Sequence, residues 1–280
     1  MNALARPTTR YRAIFISDVH MGTRRAQVRY LLDFLRVTES DWLYIVGDLV
    51  DNWALEKAWY WDQLHNDLIQ KILRKARKGT KVVYIPGNHD DRFRDFRNLR
   101  MGRVAVLEDA IHHAANGKRY LVLHGDKYDG VVRYAPWLAR LGDRAYEGSM
   151  MVNGLVNRGR RLFRLPYWSL SAYLKFKVKK AVEFISHFED AVVREARRRG
   201  AQGVICGHIH TPDDRMIADI HYLNDGDWVE SCTALVEHHD GRFEIVACTK
   251  PRGSLERDAA MPVAPSGPRH VAAPRARRCG

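Results

Sequence analysis

Five short polar segments each come directly after a run of apolar residues, and each contains Asp, His or Asn. They are Ser17-Asp18-Val19-His20, Gly47-Asp48, Gly87-Asn88-His89-Asp90, His124-Gly125-Asp126 and Gly207-His208-Ile209-His210. A short apolar run bounded by turn residues is typical of a buried strand. The pattern therefore predicts buried strands whose ends carry ligand-type side chains. Because the segments are spread evenly along the chain, one large domain is favoured over two small ones.

Between these segments the chain alternates predicted strands with predicted helices. The helical spacing of apolar residues predicts helices over residues 27–38 and 57–78. Buried strands are predicted over residues 11–17, 42–46, 81–85, 104–107, 120–123, 203–206, 219–223, 231–237 and 243–247. Turn residues at 224–227 and 239–241 separate the last strands. This order predicts an α/β fold in which two sheets pack face to face with helices outside.

An insertion of mostly helical pattern, at about 130–200, lies between His124 and His208. Residues 148–182 contain no acidic side chain and interleave basic with aromatic residues. Two interpretations fit: a helical pair with a solvated basic face, or a basic amphipathic lid that contacts an anionic amphiphile or a membrane surface. Under the second, the candidate substrate contacts, chosen for charge or stacking capacity, are Arg158, Arg161, Tyr173, Lys177 and Lys180.

The two ends of the chain differ from the middle in composition. Residues 1–10 are predicted to be a short disordered lead. Residues 251–280 are rich in Pro, Ala, Gly and Arg, which predicts a disordered basic tail. The expected domain therefore covers residues 11–250 and includes the lid insertion.

Charge and cysteine usage narrow the class of protein. Lys and Arg number 46 against 33 Asp and Glu, a net charge of +13, which indicates an anionic partner such as phosphate, nucleic acid or a lipid headgroup. The four cysteines form no Cys-x-x-Cys pair, so a reducing compartment fits. Neither an apolar run of about 18 residues nor a secretory signal pattern is present. We expect a cytoplasmic protein, peripheral at the inner membrane if the lid contacts lipid.

The polar segments carry the side chains of a metal site. His, Asp and Asn without Cys suit a catalytic Mn²⁺, Fe²⁺ or Zn²⁺ ion better than a structural zinc site. In an extended strand, residues two apart point the same way, so Asp18 and His20 can share one metal. The same spacing recurs in His208 and His210. Each segment alone is weak evidence, whereas five at predicted strand ends together predict a metal-dependent hydrolase.

In the order of its motifs, D-x-H, G-D, G-N-H-D, H-G-D and G-H-x-H, the chain resembles the calcineurin-like metallophosphoesterases from about residue 11 to 250. The resemblance implies a four-layer αββα sandwich with a helical lid insertion and two divalent metals, for which it favours Mn²⁺. It implies that Asp48 bridges the two metals. By the same likeness, Asp18, His20 and His210 would hold the first metal, and Asn88, His124 and His208 the second.

On this resemblance, two cations about 3.5–4 Å apart would activate water and stabilise charge in an in-line displacement at phosphorus. The candidate catalytic residues are His89 and Asp90. His89 would donate a hydrogen bond or a proton to the phosphoryl group, and Asp90 would orient His89 or a ligand. Asp51 and Asp126 are expected to play similar supporting parts, and Asn88 can serve both metal and phosphate.

Within this superfamily the chain is most similar to the UDP-2,3-diacylglucosamine diphosphatases, which cleave a pyrophosphate to UMP and a lipid phosphate in lipid A synthesis. The likeness lies in the size, the helical lid and the segments at 47–51, 207–212 and 226–231. One position departs: the best-described branch has Arg where this chain has His89, which points to a sister branch. The implied partner is a nucleotide-linked lipid.

Two alternatives stay open at this point. A phosphodiesterase or nuclease would use the same metals, with the basic lid and tail gripping a polyanion, although neither segment contains a recognisable nucleic-acid-binding module. A catalytically silent binding protein would keep the fold, although such proteins typically lose ligands and all seven are present here.

Overall fold

The computed structural model describes residues 8–128, 185 and 187–248. In the first half of the chain, strands alternate with helices. The strands are β1 (Thr9–Ile16), β2 (Thr38–Val46), β3 (Lys81–Ile85), β4 (Arg100–Met101), β5 (Val104–Val106), β6 (Ala110–His113), β7 (Arg119–Val122), β8 (Gly203–Cys206), β9 (Asp213–Ile217), β10 (Ile220–Asn224), β11 (Thr233–Glu237) and β12 (Phe243–Ala247). The α-helices are α1 (Val28–Val37), α2 (Asn52–Lys57), α3 (Gln63–Arg77) and α4 (187–198). Short 3-10 helices cover Asp91–Phe96 and Asp126–Tyr128.

The described strands form two sheets. One has the order β12-β11-β1-β2-β3-β5-β4 and the other the order β6-β7-β8-β10-β9. Strands β1, β2, β3 and β5 run parallel to one another in the first sheet, as do β7, β8 and β10 in the second. Because parallel neighbours end at the same edge of a sheet, the loops after β1, β2, β3, β7 and β8 lie where an α/β fold places its site.

Three apolar clusters hold four layers together. Side chains alternate between the two faces of a strand, so Phe15 of β1 faces the second sheet while Ile14 and Ile16 face α1 and α3. The second sheet buries its outer face against α4, where Phe188 and Val192 pack. The layers are therefore helix, sheet, sheet and helix, and the αββα sandwich expected from the sequence is confirmed.

The observed elements differ from the predicted ones in several places. The helix predicted at 57–78 begins later, at Gln63, because Asp62 caps it: the Asp62 carboxylate accepts from the backbone N–H of His65, and the His65 ring accepts from that of Asp62. The short helix α2 before it, at Asn52–Lys57, was not predicted. Strand β1 begins at Thr9, two residues inside the predicted lead. Strands β4, β6 and β9 were not predicted, and β9 is a largely exposed edge strand without an apolar run.

The predicted lid is described only at its end. Residues 187–198 are α4, which belongs to the sandwich rather than to a lid. Residues 130–184 and 186 of that range lie outside the described residues, and with them Arg158, Arg161, Tyr173, Lys177 and Lys180. The predicted tail at 251–280 and most of the predicted lead also lie outside them. Among the described helices, none has the length and apolar character needed to cross a bilayer.

Candidate metal centre

The loops after the parallel strands bring the predicted ligands together in an unusual backbone conformation. Five of the seven residues have φ in the left-handed region, where a side chain with a Cβ is strained. They are Asp18 (51°), His20 (51°), Asp48 (50°), His208 (73°) and His210 (55°). Such strain persists only where the surroundings over-determine the conformation, and it clusters at functional sites.

The first cluster of ligand atoms consists of Asp18, His20 and His210, whose atoms lie within 4.8 Å of one another. Asp18 Oδ1 is 3.1 Å from His210 Nε2 and 3.9 Å from His20 Nε2. The two Nε2 atoms are 3.5 Å apart. This is the set that the family likeness gives to the first metal.

The second cluster is built around Asp48 and His124, both buried. His124 Nε2 lies 3.4 Å from Asp48 Oδ2 and 3.4 Å from Asn88 Oδ1. Asp48 Oδ2 is also 4.0 Å from His20 Nε2 in the first cluster. Asp48 thus stands between the two groups, where a bridging ligand must stand.

His208 is placed beside the second cluster. Its ring centroid is 5.1 Å from that of His124, at an interplanar angle of 72°. In the described part of the chain, three groups of His and Asp ligand atoms lie within 4.8 Å of one another, and none includes His208: Asp18–His20–His210, His20–Asp51–His89 and Asp18–Asp48–His124. Its backbone N–H donates to Asp18 Oδ2 at 2.9 Å, so its loop also fixes a ligand of the first cluster.

The donor set fits divalent cations. Asp18 is fully buried, and its Oδ1, which faces the ring nitrogens of His210 and His20, accepts no well-aligned hydrogen bond within the described structure. A buried carboxylate oxygen without a donor is costly unless a cation faces it. Carboxylate, imidazole and amide groups together suit Mn²⁺, Fe²⁺ or Zn²⁺.

The ring nitrogens of His124 and His20 that point away from the ligand clusters also have partners. His124 Nδ1–H donates to the carbonyl oxygen of Val46 at 2.8 Å, which fixes the tautomer that presents Nε2 to the centre. His20 Nδ1 lies 3.3 Å from Asp51 Oδ2. Histidines that ligate metals generally have such a partner on the second nitrogen.

Asp51 connects this centre to His89. Asp51 Oδ1 lies 3.1 Å from His89 Nδ1 and accepts from the backbone N–H of Ala54, capping α2. The His89 ring packs edge-on to His20 and against Trp53, at centroid distances of 4.6 and 4.2 Å. Burial lowers the pKa of His89, but the facing carboxylate of Asp51 and the charge of Asp48 raise it overall. His89 therefore has the partner that a proton donor needs.

Asp90 acts on loops rather than on a reacting group. It is fully buried, and Oδ2 accepts from the backbone N–H of Leu49 at 2.7 Å and from the hydroxyl of Tyr84 at 2.5 Å. Oδ1 accepts from the backbone N–H of Gly87 at 2.6 Å. Asp90 thus ties the Asp48 loop to the loop after β3, which suits the expected part of orienting a ligand.

Asp126 performs a similar task. Both of its carboxylate oxygens accept from Arg94 Nη2 at 2.8 Å, and the same nitrogen donates to the carbonyl of Pro86 at 3.1 Å. Sequence reasoning missed Arg94 and also Trp53. Only their closeness to recognised motifs, four residues after Asp90 and two after Asp51, singles them out.

Carboxylates and imidazoles shift each other's pKa in this centre. Burial would raise the pKa of Asp48, but His124 brings it down to about 2. Burial would lower the pKa of His210, but Asp18 brings it up to about 9. The pKa of His124 also rises well above its usual range, since the opposing carboxylates outweigh its burial.

Comparisons with known proteins agree with this geometry. A sequence model described as calcineurin-like phosphoesterase matches residues 11–212. The chain belongs to the calcineurin-like phosphoesterase family. It is therefore a metal-dependent phosphohydrolase, and the two clusters of ligand atoms contain side chains that could hold divalent metals.

Curated relatives include two proteins named UDP-2,3-diacylglucosamine hydrolase. The one from Xanthomonas campestris pv. campestris is 28% identical over 240 residues, which cover 81% of this chain and 96% of the relative. The one from Cellvibrio japonicus is 26% identical over 208 residues, which cover 71% and 82%. Among solved structures, Vps29 from Entamoeba histolytica complexed with zinc has a TM-score of 0.41 and 11% identity, covering 85% of this chain and 99% of that one.

The raised pKa values predict that metal binding releases protons. A metal needs the neutral imidazole, and below about pH 9 His210 holds a proton that competes for the same nitrogen. We expect the affinity of metal-stripped protein for Mn²⁺ to rise with pH from 6.5 through about 9. Isothermal titration calorimetry in two buffers of different ionisation enthalpy measures the protons released. No release at pH 7.5 would contradict this electrostatic account.

Proposed function

We propose that this phosphoesterase uses two Mn²⁺ ions to cleave the pyrophosphate of UDP-2,3-diacylglucosamine, releasing UMP and a lipid phosphate. The observation that carries the hydrolytic part is the pair of ligand clusters on either side of Asp48. The substrate rests on the relatives named UDP-2,3-diacylglucosamine hydrolase, one of which aligns over 96% of its length.

Charge supports a substrate of this class. The net charge of +13 favours an anionic ligand. The segment at 148–182, which carries basic and aromatic residues and no acidic ones, lies outside the described residues. Its composition suits a molecule with a phosphate at one end and acyl chains at the other. We propose that it serves as the lid, with Arg158, Arg161, Tyr173, Lys177 and Lys180 as contacts.

The two metal ions would be held by the seven predicted ligands. Asp18, His20 and His210 would hold one ion, Asn88, His124 and His208 the other, and Asp48 both. Two divalent ions supply positive charge for the phosphoryl oxygens and an activated water for in-line attack.

The remaining residues have separate tasks. His89 donates a hydrogen bond to the phosphoryl group, or a proton to the leaving phosphate, while Asp51 holds its Nδ1. Asp90 and Asp126 fix the loops that carry Asp48, Asn88 and His124.

The proposed substrate also indicates where in the cell the protein would act. A lipid-linked nucleotide resides in a membrane, so the protein would act from the cytoplasm as a peripheral protein at the inner membrane surface. The basic composition supports contact with anionic headgroups.

The substrate proposal predicts that the full chain releases UMP from UDP-2,3-diacylglucosamine when Mn²⁺ is present. The released nucleotide is measured by chromatography. No release from protein shown to contain two metals per chain would contradict the lipid substrate. Single- and double-stranded nucleic acid are assayed beside it. Cleavage of these, with salt-sensitive binding, would instead support a nuclease, and no turnover of any phosphodiester would indicate a silent binding protein.

The role of His89 is tested by His89→Ala. We expect kcat to fall by about 10²- to 10⁴-fold, because a positioned proton or hydrogen-bond donor contributes on that order. Mn²⁺ stoichiometry should stay the same, since His89 is not assigned as a ligand. The exposed His239 offers the control His239→Ala, which should keep wild-type turnover. Unchanged kcat in His89→Ala would show that the donor role is wrong.

A further inference from the structure

The hydroxyl of Ser17 lies between two buried carboxylates at the end of β1. Ser17 Oγ is 2.5 Å from Asp18 Oδ2 and 2.6 Å from Asp225 Oδ1. Asp18 and Asp225 are both fully buried, and Ser17 itself is 1% exposed. Asp225 comes from the loop after β10, so the contact joins distant parts of the chain.

The number of protons available to these three oxygens limits which of the two carboxyl groups can be ionised. A serine hydroxyl carries one proton and can donate it once. Two short contacts between three oxygens need a second proton, which one of the carboxyl groups must carry. The third neighbour of Ser17 Oγ, the carbonyl oxygen of Gly226 at 3.0 Å, has no proton to give.

Asp18 is unsuited to hold the second proton. Its Oδ1 faces His210 and His20 in the first ligand cluster, and its Oδ2 also accepts from the backbone N–H of His208. These partners favour the ionised form.

Asp225 has the opposite surroundings. Its Oδ2 is buried, and no hydrogen-bond donor reaches it within the described structure. Its neighbours Ser17 and Gly226 carry no charge. Burial raises the pKa of Asp225 well above its usual range, although the hydrogen bond with Ser17 opposes this.

We propose that Asp225 is a positioning residue of the metal centre that keeps its proton: it donates to Ser17 Oγ, Ser17 donates to Asp18 Oδ2, and Asp18 Oδ1 is left free to bind the metal. The proposal rests on the metal centre of the proposed function and is independent of the substrate. Asp225 touches neither metal nor substrate and acts only through Ser17.

The backbone around Asp225 is held so that its carboxyl reaches Ser17. The N–H of Asp225 donates to the carbonyl of Cys206, the last residue of β8, at 3.1 Å. The carbonyl of Asp225 accepts from the hydroxyl of Thr233, the first residue of β11, at 2.8 Å. The loop is therefore fastened to both sheets, and it links the end of β8 to the end of β1.

A neutral Asp225 also suits the charge of the centre. Asp18 and Asp48 already place two buried carboxylates there. A third ionised carboxylate at 2.6 Å from Ser17 Oγ would repel Asp18 across a single hydroxyl. As an acid, Asp225 orients Asp18 without adding negative charge.

The test uses metal-stripped full-length protein and three variants. Asp225→Asn keeps a donor toward Ser17, Asp225→Ala removes it, and Ser17→Ala removes the connecting hydroxyl. The turn residue Asp240 provides the matched control Asp240→Asn. Mn²⁺ affinity is measured by calorimetry and folding by circular dichroism. Infrared difference spectroscopy between wild type and Asp225→Asn detects the carbonyl stretch of a protonated carboxylic acid.

We expect Ser17→Ala and Asp225→Ala to weaken Mn²⁺ binding about 10- to 100-fold, as loss of outer hydrogen bonds to metal ligands generally does. Asp225→Asn and Asp240→Asn should bind as wild type does. The protonated-acid band should be present in wild type and absent from Asp225→Asn.

Several results would overturn the proposal. Wild-type affinity in folded Ser17→Ala would show that Ser17 does not orient Asp18. An Asp225→Asn variant that loses as much affinity as Asp225→Ala would mean that the carboxylate form matters. If Asp225→Ala does not fold, Ser17→Ala and the infrared band decide, and a missing band contradicts the protonated state. Failure of wild-type protein to bind Mn²⁺ would instead count against the proposed metal centre.

Discussion

The carboxylates of Asp18 and Asp48 are removed from water at the edge where the two sheets meet, and the rest of the site follows from that. Ionised carboxylates buried in a protein interior are costly unless they are paired or coordinate a metal. Here they are surrounded by the imidazoles of His20, His124, His208 and His210, which come from the loops after β1, β7 and β8. The histidines lower the pKa of both carboxyls against the effect of burial, and the carboxylates raise those of His124 and His210 in return. Divalent metals would compensate the buried negative charge more fully than the histidines do, and they would supply the charge needed for phosphoester hydrolysis.

Holding these side chains in place requires strain in the backbone. Five ligands have positive φ, which costs on the order of 1–3 kcal/mol for each such residue. The sandwich offsets this with apolar burial on both faces of each sheet. The carboxylates of Asp90 and Asp126 accept hydrogen bonds that fix the loops carrying the ligands. Preorganisation of this kind is what a site for charge stabilisation needs.

The candidate ligands could be picked out from the sequence because each lies at a local boundary, where an apolar strand gives way to a polar loop. Parallel strands then bring these boundaries together without further information. It could not predict the partner of Ser17, since Asp225 is 208 residues away along the chain and the turn around it reads as an ordinary loop. The polar edge strand β9 was missed because it buries little apolar surface. The helix predicted at 57–78 is observed only from Gln63 to Arg77, because a capping box at Asp62 starts the helix inside a continuous helical pattern.

Location of the metals tests the central claim most directly. Crystals of the full-length protein grown with Mn²⁺ and measured at the manganese edge give an anomalous map independent of activity. The account predicts two peaks on opposite sides of the Asp48 carboxylate, about 3.5–4 Å apart, with one peak next to Asp18 Oδ1. A single peak, or peaks that do not contact Asp48, would contradict it.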